Sequence, residues 1–196
     1  MTAEERSGRS PRADVRRNRT ALLNTAQRHF RERGVHTSLE AIARETGVGP
    51  ATLYRHFPTR DELLAAVLQM NSVELESHRI EIANLDAPAE ALDRWLHALE
   101  DYFSVFHGLS GPLMTAVQRP DIDNPLTIPC DSLVLATQQF VSAAQSAGLV
   151  RPEIIGIDLF LAACSLATIK SNGADDASLA RLRSLIASGY RQSAMS

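Results

Sequence analysis

Cysteine is scarce in this chain of 196 residues. Cys130 and Cys164 are the only two, they lie in different segments, and no Cys-x-x-Cys spacing joins them. A disulfide-built secreted fold is excluded, and the two read as reduced, partly buried thiols, with a redox-sensing pair as the alternative. Long apolar runs are scarce too. The longest, Leu159 to Ile169, is about half of the ~20 residues that a membrane helix needs. The polar start from Met1 to Arg6 lacks the apolar stretch of a secretion signal, so the expected location is the cytoplasm, with no membrane contact. Walker loops, His-Glu-x-x-His and Gly-x-Ser-x-Gly are missing, which leaves an enzyme reading nothing to stand on. His97, Glu100 and Asp101 can be assembled into a metal site on paper. At helical spacing, however, His97 and Asp101 are the polar face opposite Trp95 and Leu99. His36 and His107 have no convergent partners in the sequence. No metal and no cofactor is expected. Strand-like alternation, internal repeats and low-complexity tracts are missing as well, so the expected fold class is all-α.

What the chain does have is lopsided charge. Its overall net charge of −3 argues, taken alone, against nucleic acid. Residues 1–60 hold twelve arginines, no lysine and six acids, a net of +6; residues 61–196 hold eight bases and seventeen acids, a net of −9. A basic first third on an acidic remainder is what a phosphate-facing end produces, and repulsion of the acidic body orients the approach. Arg28, Arg31 and Arg33 can simply solvate a helix. Arg12, Arg16, Arg17 and Arg19 crowd the start of the first helix, where phosphate contact is the better reading.

Residues 37–61 carry the sharpest pattern. Thr37 followed by Glu40 fits a capping box, with Ser38 as the competing N-cap, so a helix opens there. Leu39, Ile42 and Ala43 share one buried face. Gly47 frees the backbone for a tight turn. Pro50 suits the first turn of the next helix, where a missing N–H costs nothing. Leu53 and Phe57, four apart, anchor that helix and leave Thr52, Tyr54, Arg55 and His56 pointing outward. Two short helices joined this way form a helix-turn-helix, whose second helix enters the major groove.

The run Thr-Leu-Tyr-Arg-His-Phe-Pro-Thr-Arg-Asp-Glu-Leu-Leu, from Thr52 to Leu64, resembles the TetR family of bacterial transcriptional regulators. There a Leu-Tyr-x-His-Phe run ends the recognition helix and a polar turn opens a long fourth helix. The resemblance covers about residues 15–65. It implies that Thr37, Ser38 and Arg44 face double-stranded DNA together with Gly49, Pro50, Ala51, Thr52, Tyr54 and Arg55. Tyr54 and His56 would mostly meet phosphates. Gly49-Pro50-Ala51 departs from the longer polar side chains common in relatives, which leaves Pro50 and Ala51 to contact thymine methyls. From Gly108 to Met114 the chain resembles the C-terminal domain of an actinobacterial-type subgroup of the same family. The function implied is a regulator, in the repressor sense, that binds a palindromic operator as a homodimer and is released by a small effector.

The expected organisation is a disordered basic arm over 1–13, a three-helix DNA-binding domain over 14–60, and a helical ligand-binding and dimerisation domain over 61–196, about nine helices in all. Helix one is expected over about 15–33, helix seven from about Asp131, and the last two helices over 152–171 and 176–191. The stretch from Ile154 to Ile169 is apolar almost all round, and a helix without a polar face must be covered on every side. With the stripe Leu179, Leu182, Ile186 and Tyr190 it suggests a four-helix interface with a second copy, where Phe160, Ala162, Ala163 and Ala167 face the partner. A monomer whose own core absorbs both helices is the alternative. Trp95, Leu99, Tyr102, Phe103 and Phe106 lie close together on helix five. With Met114, Phe140 and Cys164 they form either a mainly apolar effector chamber or plain core. A body that binds a protein or peptide instead of a metabolite is the second functional reading, and an enzyme tethered to DNA the third.

Overall fold

The computed structural model describes residues 11–192, and these form nine α-helices. α1 (Pro11–Arg33) begins four residues earlier than its apolar spacing suggests, because Pro11 is compatible with a first turn and Arg16 and Arg17 face solvent. Residues 11–13 of the expected arm are therefore helical; residues 1–10 lie outside the described residues. α2 (Leu39–Thr46) and α3 (Pro50–His56) follow, packed on α1 through Leu22, Ala26, Phe30, Ile42, Leu53 and Phe57, all buried. Thr59 caps α4 (Arg60–Ala83), its hydroxyl accepting the Glu62 amide at 3.1 Å.

Leu63, Leu64, Val67 and Leu68 bury the first half of α4, and the helix runs on against α5 (Pro88–Ser104). α6 (Ser110–Gln118), α7 (Thr127–Ser146), α8 (Gly156–Ser171) and α9 (Asp176–Tyr190) complete the body. α7 starts before Asp131 because Pro129 falls in its first turn, where no amide is needed for the helical ladder. α8 starts at Gly156 and not near 152; its amide donates to the Gln138 side chain on α7 at 2.6 Å. One isolated antiparallel bridge, Val150 to Arg191, closes the C-terminal end.

Much of the expected dimer stripe is turned inward. Phe160, Ala163, Ala167, Leu179 and Tyr190 are buried within their own protomer, since α8 is wrapped by α5, α6, α7 and α9 of the same chain. The Tyr190 hydroxyl donates to Asp93 on α5 at 2.6 Å. Leu182 and Ile186 are half-buried, and on α8 and α9 the large apolar side chains that stay exposed are Leu185, 68%, and Ile169, 39%.

The first three helices meet the remainder at a compact seam. The Val35 amide donates to the His107 carbonyl at 2.9 Å, and the His36 ring lies against Gly108. Both histidines thus sit at the seam, His36 through its ring and His107 through its carbonyl, without forming a site together. Gly34 has φ 81°, and a Cβ there would sit 3.0 Å from the His107 carbonyl oxygen, so this approach needs glycine. From the start of α4, Arg60 donates to the carbonyls of Val35 at 2.7 Å and Thr37 at 2.6 Å.

Candidate nucleic-acid interface

Ser38 wins the competition for the cap of α2. Its backbone is extended, and its hydroxyl accepts the Ala41 amide at 3.2 Å. Gly47 closes α2 at φ 77°, and Gly49 leads into Pro50 at the first position of α3. Leu53 and Phe57 turn inward, so the opposite side of α3 is left to solvent. Ser38, Arg44, Gly49, Pro50, Ala51, Tyr54 and Arg55 are exposed, and Thr37, Thr52 and His56 are half-buried. All ten predicted contact residues therefore lie at the surface.

The arginines of α1 divide. Arg16 and Arg17 are exposed, Arg17 pairing with Asp14, while Arg19 places its guanidinium over the Phe57 ring at 4.8 Å and braces α1 on α3. Arg28 reaches Glu45 of α2 at 2.7 Å, and buried His29 meets the same carboxylate at 2.5 Å. Those bonds, His29 first and Arg28 second, hold the Glu45 carboxyl below the usual carboxylate range. Glu40 belongs to the interface as well. It accepts from the Ser38 hydroxyl at 2.8 Å and the Tyr54 hydroxyl at 2.9 Å. The Ser38 bond chiefly, with its own amide and Tyr54, lowers its carboxyl, and the same carboxylate raises the Tyr54 phenol. Sequence spacing marks Glu40 as a capping partner of Thr37. Nothing in it joins positions fourteen apart across a turn, so the Tyr54 bond and the Arg60 clamp were not legible.

The aromatic residues of helix five are closely packed in this conformation. Trp95 stacks on Phe140 with centroids 5.4 Å apart, and its indole N–H donates to Thr137 at 2.9 Å. Phe103 meets Phe160 edge-on at 5.8 Å. Trp95, Leu99, Phe103, Phe106, Phe140 and Cys164 are buried; Tyr102 and Met114 are half-buried. The void that Phe103, Phe106 and Cys164 border measures about 10 Å³, too little for a metabolite. Burial pushes the Cys130 thiol up to about 12 and raises that of Cys164, so neither is poised to react.

Larger spaces lie elsewhere. A cleft of about 270 Å³ opens where α1, α4 and α5 meet, with Leu75, Ala98, Tyr102, Val105 and Phe106 as its floor and Arg31, Asn71, Glu74, His78 and Asp101 around it. A groove of about 390 Å³ runs between α5, α8 and α9, over the Glu100–Arg183 ion pair. Among the described residues no group of three or more His, Cys, Asp or Glu converges as metal ligands, and no helix is long and apolar enough to cross a membrane.

Residues 22–67 match the family model of bacterial regulatory proteins of the tetR type, and residues 87–192 match the C-terminal domain of SbtR-like transcriptional regulators. The chain belongs to the TetR family. The transcriptional regulator UidR of Escherichia coli K12 is 26% identical over 144 residues, 69% of this chain and 70% of that one. A TetR regulator from Streptomyces coelicolor is 34% identical, with a TM-score of 0.58 over 90% of this chain and 99% of the other. A regulator from Saccharomonospora viridis in complex with choline shares the fold, at 20% identity and a TM-score of 0.63 over 90% and 99% of the two chains. As a TetR-family member the protein is a DNA-binding transcriptional regulator and not an enzyme, and its helix-turn-helix is the α2–α3 pair.

Proposed function

We propose that this regulator is a cytoplasmic, homodimeric repressor that binds a palindromic operator through α2 and α3 and is released by a small, mainly apolar molecule. The reading divides the chain into an arm over 1–13, a DNA-binding head over 14–60 and an effector and dimer body over 61–196. The observation that carries it is the exposed face of α2 and α3 on an arginine-rich head, set on an acidic body. One recognition helix touches too few bases for a useful specificity ratio. Two heads related by a two-fold axis read half-sites about 34–36 Å apart. Leu182, Leu185, Ile186 and Ile169 supply the apolar face for that pairing.

The effector is assigned to the cleft between α1, α4 and α5, a space in this conformation that touches both head and body. Arg31, Glu74 and His78 at its rim make no hydrogen bond or ion pair among the described residues, while Leu75, Val105 and Phe106 offer apolar contact. A molecule wedged there meets different surroundings when the head tilts, which is the differential affinity that allostery requires. The close packing around Trp95 favours a second reading, in which a protein partner acts on the body surface.

Selection of operator DNA from a random pool tests the first part. Tyr54→Ala and Arg55→Ala should each weaken the selected site with the fold intact, and parental affinity in both would overturn the assignment of α3. An effector that releases the operator must in turn be bound more weakly, by the same factor, when operator is present. Release by a purified protein and by no metabolite would replace the first reading with the second.

A further inference from the structure

We propose that Glu40 is a built-in competitor for the DNA backbone, its carboxylate holding in the free protein the hydroxyls of Ser38 and Tyr54 that a phosphate takes on DNA. The proposal rests on α2 and α3 being the DNA-facing surface. Each hydroxyl carries a single proton, and both protons are committed to Glu40, at 2.8 Å from Ser38 and 2.9 Å from Tyr54. A phosphate diester presents the same kind of anionic acceptor oxygen as a carboxylate. The two anions therefore compete for one pair of donors.

Glu40 is placed to yield. It is exposed, it forms no ion pair among the described residues, and water can take over its solvation when it swings aside. Glu45, at the other end of α2, is fixed by Arg28 and His29 and has no such freedom. The consequence is a threshold. Any duplex must displace Glu40 and tolerate its negative charge, and only a sequence that also satisfies α3 offsets that cost. Glu40 is on this account a brake set on every duplex alike, so that only the tighter operator complex withstands it at working concentrations.

The test compares Glu40→Gln with Glu32→Gln, an exposed acid of α1 that holds neither hydroxyl. Binding to a mixed-sequence duplex and to the selected operator is measured at moderate salt. Glu40→Gln should tighten mixed-sequence and operator binding alike, by about tenfold, and leave their ratio near the parental value. Glu32→Gln should produce only the smaller gain owed to net charge. In a Tyr54→Phe background the Glu40→Gln gain should shrink toward that of Glu32→Gln. Equal gains from the two glutamates, or a Glu40→Gln gain undiminished by Tyr54→Phe, overturn the competitor role while leaving the DNA face standing. Parental binding by both Tyr54→Ala and Arg55→Ala overturns the face itself, and the competitor with it.

Discussion

Gly156 stands where α8 comes closest to α7, and replacing it with alanine is a severe test of the body's packing. A Cβ there would lie 2.6, 2.7 and 2.8 Å from the backbone N, Cα and Cβ of Gln138. None of these atoms is the loose end of a side chain. Ordinary contact begins near 3.4 Å, so the helices must part by about 0.8 Å or α8 must tilt. Interiors this dense absorb such a change at about 1–3 kcal/mol. The bond from the Gly156 amide to the Gln138 side chain stretches as well, a further loss of about 1 kcal/mol. Together Gly156→Ala should cost about 3 kcal/mol. That corresponds to a midpoint lowered by about 6–12 °C for a chain of this size. Gly111→Ala is the control, since nothing lies within 4 Å of its would-be Cβ and alanine favours the helix. Urea and thermal unfolding followed by circular dichroism, at one fixed protein concentration, measure both. A Gly156→Ala protein within about 0.5 kcal/mol of the parent would refute the close approach of the two helices.

Leu185→Glu should yield monomer by analytical ultracentrifugation and lose operator affinity with the reading head unaltered, because it places an unpaired charge on an apolar face; a normal dimer moves the interface elsewhere. Thr137→Val strands the buried indole N–H of Trp95 and should cost about 1–3 kcal/mol in denaturant unfolding, with a change in tryptophan emission. Arg183→Met leaves buried Glu100 with Lys170 at 3.9 Å as its nearest cation and should destabilise by about 3 kcal/mol in the same assay. The lowered Glu45 carboxyl stabilises the head above the ordinary glutamate range, and this is lost as pH falls through its depressed value. Acid titration followed by amide exchange in α1 and α2 should therefore show early loosening in the parent and a flatter response in Glu45→Gln.

The head was legible because its signals are local. Ser38, Gly47 and Pro50 set the turn, and Leu53 and Phe57 fix which side of α3 faces outward, all within one short stretch. The body was legible as helices but not as faces. Phe160 and Leu179 have the spacing of an interface stripe, and the same spacing serves a helix buried by its own chain; only the neighbours α5, α6 and α7 decide between them. Helix seven starts before Asp131 because a proline that would stop a helix interior, Pro129, sits at its third position and merely opens it. The aromatics of α5 have the composition of a chamber, and whether they enclose space depends on Phe140 and Phe160, thirty or more residues away.

The seam between head and body has a property that side-chain chemistry does not share. One of its links, from the Val35 amide to the His107 carbonyl, is made of main chain on both sides. Such a bond is blind to the identity of either side chain, so substitution at exposed His107 leaves it in place. Proline at 35 is the exception, since it alone removes the donor. An alanine scan across this joint would register lost packing and pass over the link itself. Backbone chemistry, an ester in place of the Val35 amide, is what would remove it and leave the Arg60 clamp standing.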